Sequence, residues 1–175
     1  MGDNKLPRIT LRYNGLFDFD AMYAMIIDWA KNYGYMWHER TYKHKVPSPK
    51  GAEQEFVWEM SKDVTEYIHH NIMFAVHMWD HTEVQVEIDG KPKSLSNGRL
   101  YIVINGNLKT DWQKKFKGNK LAEKLGSWFG KISEKEMSNY VDTLYYRVWN
   151  LHALMKKYFD MQSKKHVYKG YLGEN

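Results

Sequence analysis

The chain has 175 residues, 43% of them hydrophobic and 27% charged, and a net charge of +5. That length and balance point to one globular domain with a sizeable core, and 15% aromatics with 4 prolines argue against disorder. The absence of cysteine excludes a disulfide scaffold, thiolate metal ligation and cysteine nucleophiles. No apolar run approaches the ~20 residues needed to span a bilayer. The opening "MGDNKLPRIT" lacks the apolar centre of a secretory signal, so the expectation is a cytoplasmic protein with no membrane span. Charge is uneven: residues 1–90 hold 9 basic and 14 acidic residues, residues 91–175 hold 17 and 7. A basic half can attract an anionic partner, or it can face the acidic half within one fold or across a dimer.

"RITLRY" (Arg8 to Tyr13) alternates Ile9, Leu11 and Tyr13 with polar neighbours, as a half-buried strand does. Asn14-Gly15 closes it, Asp18 caps the helix that follows, and Phe19, Met22, Tyr23, Ile26, Ala30 and Tyr33 recur at helical spacing up to a stop at Gly34. The period then changes to two. "YMWHERTYKHKV" reads as a strand ended by a Pro47–Gly51 loop. "EQEFVWEM" sets Phe56, Trp58 and Met60 against a mostly acidic face. "YIHHNIMFAVHMWDH" (Tyr67 to His81) is a central strand. Ile68, His70, Ile72, Phe74, Val76 and Met78 form its apolar face, and Tyr67, His69, Asn71, Met73, Ala75, His77, Trp79 and His81 its mixed one. "TEVQVEI" and "RLYIVINGNL" follow as further strands, with turns expected at Asp89-Gly90 and Asn97-Gly98 and a bulge at Gly106.

The C-terminal third reads as helical. A short helix spans "NKLAEKLGSWFGKI". A long one starts at the Ser133/Glu136 capping box and runs to about Asp160, roughly 28 residues or ~40 Å. Its stripe is Met137, Val141, Leu144, Val148, Leu151, Met155 and Tyr158, and Tyr145, Trp149 and His152 form a second aromatic line. Residues 1–162 are expected to form a single α+β domain, and residues 163–175 a loosely ordered basic tail. The expected sheet is antiparallel with about five to six strands, packed on one face by the N-terminal helix and the long C-terminal helix. The order of elements resembles that of helix-grip lipid-transfer domains.

No reaction class is signalled. "GSWFG" places its serine one position early for a nucleophile elbow, "KGNK" lacks the spacing of a phosphate loop, and His38-Glu39 does not begin an HExxH motif. His77 and His81 on one strand stand about 13 Å apart, too far to share an ion unaided. The expectation is therefore no catalytic residues, no resident metal and no cofactor. The first reading is a non-enzymatic protein holding an apolar or aromatic ligand between sheet and long helix, lined by Trp58, His70, Phe74, His77, Tyr145, Trp149 and His152. The alternative is a nucleic-acid or ribonucleoprotein-associated protein using Lys109, Trp112, Lys114, Lys115, Lys117 and Lys120, where lysines neutralise phosphates and aromatics stack on bases. A homodimer built on the long helix is the third.

Overall fold

The alternation that begins at Ile9 is carried through most of the chain. In the computed structural model, which describes residues 3–48, 51–88, 90–113 and 134–161, it yields six strands: β1 (Asp3–Lys5), β2 (Ile9–Phe17), β3 (Met36–Ser48), β4 (Gly51–Asp63), β5 (Ile68–Ile88) and β6 (Lys91–Thr110). Two described helices complete the fold, α1 (Phe19–Asn32) and α2 (Glu134–Tyr158). The architecture is α+β. All described strand pairs are antiparallel, in the order β1-β6-β5-β4-β3 with β2 also on β6. β1 and β2 share one edge of β6, Lys5 opposite Asn107 and Ile9 opposite Ile104. Between them Leu6 N–H still donates to the Gly106 carbonyl at 2.9 Å, and Pro7, with no N–H to give, marks the break. No described helix is long and apolar enough to cross a membrane.

α1 begins where the sequence places it. The Asp18 carboxylate accepts the Ala21 N–H at 2.9 Å, and Asp20 adds negative charge to the first turn. Its buried side is Met22, Ile26, Trp29 and Ala30, and Gly34 leaves the helix at φ +72°. Along α2, Leu144, Val148, Leu151 and Met155 are buried, and Phe159 continues the stripe past the helix end. Gly106 lets this helix approach, since a Cβ there would stand 3.0 Å from Val148 Cγ2 and 2.7 Å from Leu6 Cδ1. Two polar contacts tie the helices together. Trp29 Nε1 donates to Asn150 Oδ1 at 2.7 Å, and the Tyr158 hydroxyl donates to the Asp18 carbonyl at 2.5 Å. The short helix expected at 119–132 and the tail at 163–175 lie outside the described residues.

Three sequence expectations are corrected in the sheet. Tyr67–His81 and "TEVQVEI" belong to one 21-residue strand, β5, not two. Asn97-Gly98 is no turn but lies inside β6, opposite Leu16 and Gly15. The Pro47–Gly51 loop is shorter than expected, with Ser48 already paired to Gly51. All three segments meet near one irregularity. β5 carries an extra residue around Asp80, so the pairing slips between Trp79 and Thr82 against β6, and between Ala52 and Gln54 against β4. Asp80 sits at φ +56°, the left-handed conformation that aspartate tolerates better than most residues. The neighbouring strands meet it with glycine: a Cβ on Gly51 would lie 2.6 Å from the Asp80 carbonyl carbon, and one on Gly98 2.9 Å from the Trp79 carbonyl oxygen.

That slip reverses the phase of β5. Before it, even-numbered residues from Ile68 to Met78 face the helices and are buried. After it, His81 is the residue paired with inward Ala52. The expected placement of His81 on the same face as His77 and Trp79 is thereby overturned.

Gly98→Ala is expected to lower stability by about 1–3 kcal/mol, because a backbone clash outweighs the ~0.4–1 kcal/mol that alanine gains by restricting the unfolded chain. Gly90→Ala, whose Cβ would meet nothing within 4 Å but whose φ of +73° disfavours any side chain, is expected to cost only the ~1 kcal/mol of the left-handed conformation. Urea unfolding of both variants checks the order.

Candidate functional site

The residues expected to line an apolar ligand site fall in three places. Trp58, Phe74 and His70 share the helix-facing side of the sheet, almost wholly buried at 0%, 0% and 2% exposure. Trp58 and Phe74 stack at 5.7 Å between centroids, and Phe19, Tyr23, Trp37 and Phe56 pack around Trp58 at 5.1–6.4 Å. His70 Nδ1 lies 3.5 Å from the Tyr35 hydroxyl. His77 is on the opposite face of the sheet, paired with Glu55 and Tyr101. Tyr145, Trp149 and His152 contact one another along α2, Tyr145–Trp149 at 6.0 Å and Trp149–His152 at 5.3 Å, with both Tyr145 and Trp149 exposed. Trp58 and Phe74 are thus brought together, as are the three on α2; His70 shares the face of the first pair but stands four residues along β5 from Phe74, opposite Lys62, and His77 joins neither group.

The opposite face of the sheet gathers a different set. β5 contributes His69, Asn71, Met73, Ala75, His77 and Trp79, and their cross-strand partners on β6 run from Lys109 through Tyr101 to Arg99. β2 adds Thr10, Arg12 and Asn14 opposite Val103, Tyr101 and Arg99. His77 and Trp79 stack at 3.8 Å. The Arg12 guanidinium lies 5.4 Å from the Tyr101 ring centre and that of Arg99 5.8 Å from Trp79, distances at which cation and ring attract. Asp80 holds Arg99, Nε to Oδ2, at 2.6 Å. Arg12, Tyr13, Asn14, Trp79, Arg99, Leu100 and Tyr101 line an open concavity of about 600 Å³.

Two of the residues expected in a nucleic-acid surface reach this same face. Lys109 stands opposite His69. The Trp112 ring lies 5.5 Å from that of His69 and its Nε1 donates to the Thr65 carbonyl at 3.2 Å. Lys114, Lys115, Lys117 and Lys120 lie outside the described residues. Sequence reasoning missed Arg12, Arg99 and Tyr101. Each sits at a polar-side position of a strand that is legible by its apolar partners, but which strands would be neighbours, and in what register, is not written in the period of any one of them.

Across β3 and β4 the face is an ion-pair lattice. Lys45 reaches Glu53 at 2.7 Å and Glu55 at 3.7 Å, Lys43 reaches Glu55 at 3.1 Å, and Arg40 pairs with Glu59, which Asn71 also contacts. Hydrogen bonds from Lys45 to Glu53, from Lys43 to Glu55 and from Arg40 to Glu59 hold all three carboxyls below their ordinary range. Glu53, Glu55 and His77 each offer one donor atom within 4.8 Å of the others, a spacing that suits a cation. The Lys45 ammonium already stands on both carboxylates, however, and His77 Nε2 is 2.6 Å from Glu53. A metal ion would have to displace existing partners, so this grouping is read as a salt-bridge network that orients the His77 ring.

No family model matches the chain, and no curated protein matches it. Among solved structures, a protein of unknown function from Staphylococcus aureus aligns over 89% of this chain and 98% of its own at 7% identity and a TM-score of 0.20, a likeness too slight to carry an argument.

Burial, and secondarily the nearby Lys62 ammonium, lowers the His70 pKa from 6.5 to about 4. The unfolded chain therefore binds a proton on His70 that the folded chain refuses, and stability falls as pH drops from about 6.5 towards 4, by about 3 kcal/mol in all from this group. Denaturant unfolding across that window is expected to show the loss, and His70→Gln is expected to flatten it.

Proposed function

We propose that this protein is a non-enzymatic binding domain whose open sheet face takes single-stranded nucleic acid. The observation that carries the reading is the arrangement of Trp79 and Tyr101 beside the guanidinium groups of Arg12 and Arg99, around a concavity of about 600 Å³, with His77 stacked on Trp79 next to it. Ring faces on a sheet surface stack on unpaired bases with little regard for sequence, at ~1–3 kcal/mol per base, and adjacent cations neutralise the phosphates. The charge on this side supports the reading. Arg12 and Lys109 lie on β2 and β6, with Arg99 also on β6 but already paired to Asp80, whereas the carboxylates of β4 are matched by Arg40, Lys43 and Lys45 on β3. Bases must be splayed out to reach such rings, which favours single strands over duplexes.

The helix-grip reading, with an apolar ligand between sheet and C-terminal helix, has less support. It would require Trp58 and Phe74 to exchange the stacked neighbours they already have for a ligand. Two cavities lined by described residues, of about 500 and 600 Å³, involve neither of them.

Fluorescence polarisation with short RNA and DNA strands tests the proposal. Binding is expected at low salt, weakening steeply as salt rises. Trp79→Ala is expected to reduce affinity about tenfold or more, and Arg12→Ala to weaken binding while lowering the salt slope by about one. Absence of binding at low salt, or duplex binding that Trp79→Ala leaves unchanged, would contradict it.

A further inference from the structure

We propose that the outward flank of α2 is a self-association surface, which pairs antiparallel with α2 of a second copy of this chain and places Trp149 at the two-fold axis. α2 has three sides to account for. Its stripe of Leu144, Val148, Leu151 and Met155 is buried, with Val148 against Gly106 of β6. One flank meets α1: Asn150 accepts the Trp29 Nε1–H at 2.7 Å, the Arg147 guanidinium lies 3.9 Å from the Tyr33 ring centre, and Tyr158 donates to the Asp18 carbonyl. On the opposite flank stand Tyr145, Tyr146 and Trp149, at 38%, 69% and 41% exposure.

These rings form one connected surface. Tyr145 contacts Tyr146 at 5.7 Å between centroids and Trp149 at 6.0 Å, and Trp149 contacts His152 at 5.3 Å. Among the described residues, the ring contacts of the three run only to one another and to His152. Contiguous exposed tyrosine and tryptophan are what protein interfaces concentrate.

Exposed rings alone name no partner; spacing and charge do. Ser138, Asp142, Tyr145, Trp149, His152 and Lys156 follow a 4-3-4-3-4 rhythm, the seam of a two-helix coiled coil. At 100° per residue the six fall within about 80° of one another. Asp142 and Lys156 stand seven residues to either side of Trp149 and are opposite in sign. Among the described residues neither takes part in an ion pair. In a two-fold antiparallel pair centred on Trp149, Asp142 meets Lys156 of the partner subunit, and the contact is made twice. The same operation sets Tyr145 across from Ala153 of the partner subunit, a residue small enough to admit a ring. A parallel pair would set each charge against its own copy, which repulsion disfavours. An anionic membrane would draw a flank rich in lysine and arginine, whereas this seam carries one charge of each sign. The pattern matches the helix to itself, reversed.

Sedimentation equilibrium of the full chain from micromolar to millimolar concentration reads the assembly. A reversible dimer is expected, and Trp149→Glu is expected to abolish it while leaving the circular dichroism of the fold unchanged, since this side chain is exposed in the monomer. Asp142→Lys and Lys156→Glu are each expected to weaken the dimer about tenfold, because each turns two attractive pairs into two repulsive ones, and the double variant to restore it. A double variant as weak as the single ones would overturn the antiparallel register. A monomer at millimolar concentration, or a dimer that Trp149→Glu leaves intact, would overturn the surface itself. Since the nucleic-acid reading rests on the other side of the sheet, neither result decides the other.

Discussion

The extra residue at Asp80 is the constraint on which the two faces of this sheet depend. It costs β5 a regular ladder at one point, and that cost is contained by position. Asp80 can hold φ +56°, its carboxylate is engaged by Arg99, and both flanking strands present glycine where any Cβ would strike backbone. Bulges bend a strand and raise its twist. Here the larger consequence is in phase: side chains before the slip and side chains after it point to opposite sides. A single 21-residue strand can therefore supply Trp79 and His77 to the open face and His81 and Glu83 to the helix side.

Most of the fold was legible in the sequence because its strands are half-buried and its helices amphipathic. Ile9, Leu11, Phe56, Trp58 and Met60 take the side their period assigns, and Asp18 and Gly34 bound α1 as their chemistry predicts. Leu144, Val148, Leu151 and Met155 form the stripe of α2. What could not be read was the meaning of glycine. Asn97-Gly98 has the composition of a hairpin turn, but Gly98 serves close approach to Trp79 instead. A period-two reading of Tyr67–His81 likewise has no way to register one added residue, so it carried His81 to the wrong face.

The candidate site was legible only in fragments, for a related reason. Trp79 and His77 were visible as an aromatic side of β5, and Lys109 and Trp112 as a basic and aromatic surface, but their union requires knowing that β5, β6 and β2 are neighbours in a given register. Arg12 shows the point most plainly. In sequence it is the polar residue between Leu11 and Tyr13; in the sheet it lies against Tyr101, 89 positions further along the chain.

The most direct test of this account is the side on which His81 stands. NOE measurements on the His81 imidazole are predicted to connect it with Ala52 and Ser96, on the face shared with Phe56. NOEs from His81 to the side chains of His77 or Trp79 would show an unbroken strand phase and contradict the account at its base.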